Sequence, residues 1–160
     1  MATSENLIEK FYNAFQRLDA ETMVSCYHDD IRFEDPAFGV LNGVQAKNMW
    51  RMLCNSQKGK DFKVKVSSIA YNDVTGKATW EAFYTFSKTE RKVHNLIEAN
   101  FELQDGKIIV HTDHFNLYRW SRQAFGITGL LMGWTSFFRK KLQQQTRQLL
   151  FKFEQNRAQN

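Results

Sequence analysis

The sequence predicts an α+β domain in which helices pack on one side of a curved antiparallel sheet. Apolar residues recur at helical spacing through the first third of the chain, apart from one short alternating run. From Phe62 to about Tyr118 the spacing falls to two, and from Ser121 onward it is helical again. With 160 residues, 42% of them apolar and 14 of them Phe, the chain has enough bulk for one real core and is not disordered. A single proline and the lack of a Pro/Gly/Ser-rich linker point to one domain over residues 1–120. A helical extension over 121–160 is expected to pack on that same domain.

Leu7, Ile8, Phe11, Tyr12, Phe15 and Leu18 share a helical face, with Thr3 or Ser4 as N-cap. Asp19 can cap a second, short helix whose apolar face is Met23, Val24 and Tyr27. Ile31, Phe33 and Asp35 then alternate along a short strand and so share a face. A Leu-Asn-Gly turn at 41–43 leads to a third helix presenting Ala46, Met49, Trp50 and Leu53. The period-two region divides into four strands. Phe62, Val64 and Val66 mark the first, and Ala78, Trp80, Ala82, Tyr84 and Phe86 the second. The third runs from Arg91 to Leu103, and Asp105-Gly106 is a hairpin signal opening the last, from Lys107 to about Tyr118.

Ser121 to Gly126 reads as one or two helical turns, and Ile127 to Trp134 is apolar and punctuated by glycine. From Thr135 or Ser136, a basic amphipathic helix carries Phe138, Leu142, Gln145, Leu149 and Phe153 in one stripe, with Leu150 beside it. The net charge of +5 lies entirely in residues 136–160, and the body is neutral. A nucleic-acid binder would spread a basic patch over its body, so no nucleic acid is expected as partner. The tail stripe is expected to pack on the body or on a partner subunit, with contact to a membrane surface as the less favoured alternative. No apolar run is long enough to span a bilayer and no secretory signal is visible, so a cytoplasmic protein is expected. Cys26 and Cys54 read as reduced core residues.

Asp35 is the first candidate for chemistry. It ends an apolar strand, where a carboxylate is costly unless paired, hydrogen-bonded or used. The competing reading is a turn cap for Pro36-Ala-Phe-Gly39. His111 and Asp113 stand two residues apart on a strand face shared with Ile109, Phe115 and Leu117, the arrangement of a general base and its orienting partner. A hydrogen-bonded core pair is the alternative. Tyr12, Tyr27, Trp50, Trp80, Tyr84 and Phe115 are candidate pocket-lining residues, or ordinary core. His94, His111 and Asp113 have no diagnostic ligand spacing, and no phosphate loop or nucleophile elbow is present, so neither metal nor cofactor is expected.

The opening pattern of helix, Asp19, helix, Phe33-Glu-Asp-Pro36, turn and helix, followed by hairpins, resembles the nuclear transport factor 2-like superfamily over roughly residues 5–118. That superfamily includes ketosteroid isomerases, limonene-epoxide hydrolases and SnoaL-like polyketide cyclases. The segments Asp35-Pro-Ala-Phe-Gly39, Met49-Trp50-Arg-Met-Leu53, Val93-His-Asn95, Asp105-Gly-Lys-Ile108 and Gly133-Trp134 are most similar to bacterial SnoaL-like proteins. The resemblance implies a cone of helices and curved sheet around an apolar pocket, and a homodimer through the outer sheet face. It implies that Asp35 stands where ketosteroid isomerases keep their proton-abstracting carboxylate, and Glu98 where they keep a protonated acid.

Strand periodicity by itself puts Glu98 on the solvated face. The acidic pocket residue in the last strand of cyclases and epoxide hydrolases matches Asp113. The oxyanion tyrosine of the isomerases falls on Phe11, so steroid isomerisation is not expected. The third-strand arginine of the epoxide hydrolases is not recognisable either. Two readings stay open: an isomerase or cyclase moving a proton on a small hydrophobic carbonyl compound, and a non-catalytic module that binds a hydrophobic or lipid-like ligand or a protein partner.

Overall fold

The computed structural model describes residues 6–160. In chain order its elements are α1 (Leu7–Gln16), α2 (Ala20–Ser25), β1 (Tyr27–Asp35), β2 (Gly39–Asn42), α3 (Val44–Gln57), β3 (Lys63–Tyr71), β4 (Thr75–Phe86), β5 (Arg91–Gln104), β6 (Lys107–His114), α4 (Leu117–Phe125), α5 (Ile127–Met132) and α6 (Ser136–Ala158). The six strands form one sheet in the order β2-β1-β6-β5-β4-β3. The expected meander from β3 to β6 is present, and every neighbouring pair is antiparallel except β1 and β6.

That parallel pair positions the site. Its register sets Phe33 against His111 and Glu34 against Thr112, so Asp35, one residue further, arrives beside Asp113. The core lies between the sheet and the first three helices. Helix α1 buries Ile8, Phe11, Tyr12, Ala14 and Phe15 together. They meet the inward residues Ala78, Trp80 and Ala82 of β4, and Ile97, Ala99 and Phe101 of β5. The aromatic rings interlock edge to face: Phe15 touches both Trp50 and Trp80, at 5.1 and 5.4 Å between ring centres.

Several local expectations are corrected. Thr3 and Ser4 lie outside the described residues, and the side chain of Asn6 caps α1 by accepting from the backbone of Ile8 and Glu9. Leu41 and Asn42 of the expected turn belong instead to a short strand, β2, that forms a hairpin with β1. The last strand ends at His114, because Asn116 accepts from the backbone of Arg119 and starts α4, placing Tyr118 on a helix. On α6 the buried residues are Leu142 and Leu150, while Leu149 is exposed. The stripe therefore passes through Leu150. Cys26 and Cys54 are both buried, with no disulfide. No helix among the described residues is long and apolar enough to cross a membrane.

Candidate functional site

A chain of side-chain hydrogen bonds runs through the core to Asp113. The indole Nε1 of Trp50, on α3, donates to the Tyr27 hydroxyl at 2.7 Å. That hydroxyl lies 2.6 Å from His111 Nδ1, and His111 Nε2 lies 2.9 Å from Asp113 Oδ1. Trp50 can only donate, so the assignment that satisfies every member runs in one direction. Tyr27 then donates to His111 Nδ1, and the Nε2–H of a neutral imidazole donates to the Asp113 carboxylate. His111 is 0% exposed and Asp113 4%. Phe11, Phe33 and Phe101 stand edge-on or tilted against the imidazole, and the Trp50 ring lies nearly parallel to it at 5.9 Å. The pair predicted from sequence is therefore a held imidazole and carboxylate, with an orientation fixed from behind.

Asp35 stands at the edge of this chain of bonds, half-buried as a residue with its carboxyl turned inward. It retains partial exposure, and its Oδ1 accepts from the backbone N–H groups of Ala37 and Phe38 at 2.9 and 2.6 Å. It caps its turn, as one of the two sequence readings has it, and this occupies only one of its two oxygens. Burial of the carboxyl pushes its pKa up to about 7, and the charge of Asp113 pushes the same way, against the two backbone donors. Two carboxyl groups on neighbouring strands, close enough for the charge of one to raise the pKa of the other to near neutrality, are suited to moving protons.

The Asp35 loop is pinned from outside by α6. Gln143 Nε2 donates to the Pro36 carbonyl at 3.2 Å and Thr146 Oγ1 to that of Ala37 at 2.9 Å. Arg147 donates through Nε to Phe38 at 3.1 Å and through Nη2 to Val40 at 2.7 Å. Gly39 sits under this clamp at φ +71°, and a side chain there would press on Gln143 and Arg147. Arg147→Ala is expected to cost about 1–2 kcal/mol of stability by chemical denaturation. It should also speed amide exchange at Ala37 and Phe38 while leaving the β4–β5 amides slow.

The remaining predicted residues divide into two groups. Tyr12 and Trp80 are buried, their rings 5.9 Å apart, and neither the Tyr12 hydroxyl nor Trp80 Nε1 has a hydrogen-bond partner. Burial holds the Tyr12 pKa well above the ordinary tyrosine value, with Asp113 adding to the shift. Tyr12 thus faces inward despite standing one position from the isomerase tyrosine, because α1 buries a face wide enough for both Phe11 and Tyr12. Tyr84 accepts from Trp120 Nε1 at 2.7 Å and is electrostatically coupled to Asp35. Tyr84 and Phe115, with Ala37, pack against both hydrophobic clusters, so the Asp35 loop borders the seam between the core and the α4–α6 layer.

Glu98 does not join them. It is exposed on the opposite face of β5, across from Thr79 and His114, because the apolar residues Ile97, Ala99 and Phe101 alternate with it and take the inward positions. His94, too, is directed away, pairing with Glu81 at 2.8 Å. Among the described residues no three His, Cys, Asp or Glu side chains gather where they could hold a metal. Two surface depressions of about 530 and 270 Å3 lie elsewhere, one around Tyr71, Lys77 and Asn100, the other around Phe83, His94 and Gln123, with Tyr84 at its edge. Sequence reasoning did not reach Gln143, Thr146 and Arg147, since polar residues on a basic helix carry no sign of what they bind.

Residues 8–111 match the model of the SnoaL-like domain. The chain belongs to the SnoaL-like family. Solved structures similar to this SnoaL-like chain share its fold at low identity. An LEH-like epoxide hydrolase of M. tuberculosis is 24% identical with a TM-score of 0.57, over 81% of this chain and 90% of that one. An NTF2-like protein of unknown function from Burkholderia pseudomallei is 14% identical with a TM-score of 0.64, over 78% and 100%. A candidate polyketide cyclase from Xanthomonas campestris is 18% identical with a TM-score of 0.57, over 74% and 93%. No curated protein matches the sequence.

Proposed function

We propose that this SnoaL-like protein moves a proton on a small hydrophobic carbonyl compound, as an isomerase or cyclase would, with Asp35 as the base. The observation that carries this reading is the Asp35 carboxyl itself. One oxygen is fixed by backbone donors, the pKa stands at about 7, and the neighbouring Asp113 is locked in place by His111. The uncommitted oxygen of Asp35 takes a proton from the carbon beside the carbonyl. The C–H electron pair moves into an enolate, and the same carboxyl returns the proton to another carbon. The inward hydroxyl of Tyr12, kept protonated by its raised pKa, and the indole N–H of Trp80 are donors without partners, suited to receive the developing oxyanion. His111, Tyr27 and Trp50 are positioning residues that hold Asp113. The likeness to a candidate polyketide cyclase supports the same class of chemistry.

The test is exchange of α-protons for deuterium in a panel of enolisable alicyclic and aryl ketones, followed by NMR. The wild type is expected to exceed Asp35→Asn by about 10²–10⁴-fold on at least one ketone, with a rate that rises as pH passes through about 7. Equal rates for both proteins on every ketone would contradict the reading.

The aromatic filling of the interior favours a second reading, a non-catalytic module. In that case Asp35 is a turn cap only. A homodimer through the outer sheet face is compatible with either role, and light scattering tests it.

A further inference from the structure

The segment from α5 into α6 inverts the usual order of a surface helix. Its inward positions are glycines: Gly129 and Gly133 are buried against Ser121 of α4, whose hydroxyl donates to the Tyr118 carbonyl at 2.8 Å and lies 3.4 Å from the Gly129 carbonyl. A Cβ at either glycine would collide with Ser121. With the backbone pressed onto α4, the bulky apolar side chains point outward. Ile127 is 76% exposed, Leu131 63%, Trp134 72% and Phe137 63%, with Leu130 and Met132 also open. A contiguous exposed apolar patch of this kind marks an interaction surface.

Its surroundings identify the partner. Residues 114–153 contain no Asp or Glu and seven Lys or Arg. Lys140 and Lys141 follow Phe137 by three and four positions and so stand on its helical face, both exposed. Arg122 lies over the Tyr118 ring, 5.5 Å from its centre, and the Tyr118 hydroxyl donates to the Leu130 carbonyl at 3.1 Å, which brings that cation to the apolar tip. A second copy of this chain would set two surfaces rich in Lys and Arg against each other. An anionic bilayer complements both features, with apolar side chains and Trp134 entering the headgroup boundary while Lys and Arg meet lipid phosphates.

We infer that α5 and the start of α6 form a docking tip for an anionic membrane surface. Beyond the tip, α6 uses Leu142 and Leu150 for intramolecular packing and leaves Leu149 and Phe151 exposed. This inference does not depend on the proton-transfer reading.

The test is flotation of the full chain with vesicles of phosphatidylcholine alone and of equimolar phosphatidylcholine and phosphatidylglycerol. The wild type is expected to float with the anionic vesicles only, with a blue shift in tryptophan emission that Trp134→Phe removes. Leu131→Ser with Trp134→Ser, and separately Lys140→Glu with Lys141→Glu, should each reduce partitioning at least about tenfold. All four positions are exposed, so both variants retain the fold by circular dichroism. Absence of anionic-vesicle binding would overturn the inference, and self-association abolished by Leu131→Ser with Trp134→Ser would assign the patch to a second copy. Binding that survives that double substitution, or that is equal on neutral vesicles, would overturn it as well.

Discussion

Asp35→Asn is expected to raise stability near pH 8 by about 1–3 kcal/mol while leaving it nearly unchanged near pH 4. An unfolded chain ionises this carboxyl at its ordinary value of 3.8, whereas the folded protein holds the proton to about 7. Between those values the folded state binds the extra proton, so wild-type stability falls as pH rises from about 4 to about 7 and then stays at the lower level. The full shift corresponds to about 4 kcal/mol, and the partial exposure of Asp35 reduces what is realised. Asparagine keeps an oxygen for the Ala37 and Phe38 donors and carries no charge to desolvate. Denaturant midpoints of both proteins across this range check the expectation. Were Asp35 only a turn cap, the variant would be equally or less stable at every pH.

Tyr27→Phe is expected to be the most destabilising single-atom deletion in the core. It removes one oxygen and strips partners from two enclosed groups, the Trp50 indole N–H and His111 Nδ1. Each buried polar group left unsatisfied costs about 1–3 kcal/mol, so a loss of about 2–5 kcal/mol follows. The phenyl ring still fills the space against Phe11, where the two rings now stack at 5.5 Å, so no cavity contributes. Urea unfolding measures the loss. Because the tyrosine proton also fixes the tautomer of His111, with its N–H on the nitrogen that faces Asp113, the proton-exchange rate should drop even under conditions where the variant is folded. An unchanged midpoint would mean that the relay is not formed.

The fold was legible because its two hydrophobic periods are clean, and Asp35 stood out because a carboxylate in an apolar setting is costly unless paired, hydrogen-bonded or used. The facing of His111 and Asp113 followed from strand alternation alone. Other features have no local signal. The parallel pairing of β1 with β6, which brings Asp35 to Asp113, joins segments separated by the whole meander. The hydrogen bonds from Trp50 and Tyr27 to His111 depend on that pairing together with the placement of α3. Glu98 shows the opposite case: its own period-two pattern already assigned it to the outer face, and only the likeness to isomerases drew it inward. On α6, Leu149 and Leu150 are adjacent and equally apolar, so which one packs is decided by the body that α6 meets.

The most direct measurement is a ¹³C NMR titration of the Asp35 side-chain carboxyl, assigned by the signal missing from Asp35→Asn. A midpoint near 7, moving down when Asp113 is replaced by Asn, is the expected result. A midpoint near 4 would contradict it, leaving Asp35 an ordinary turn residue.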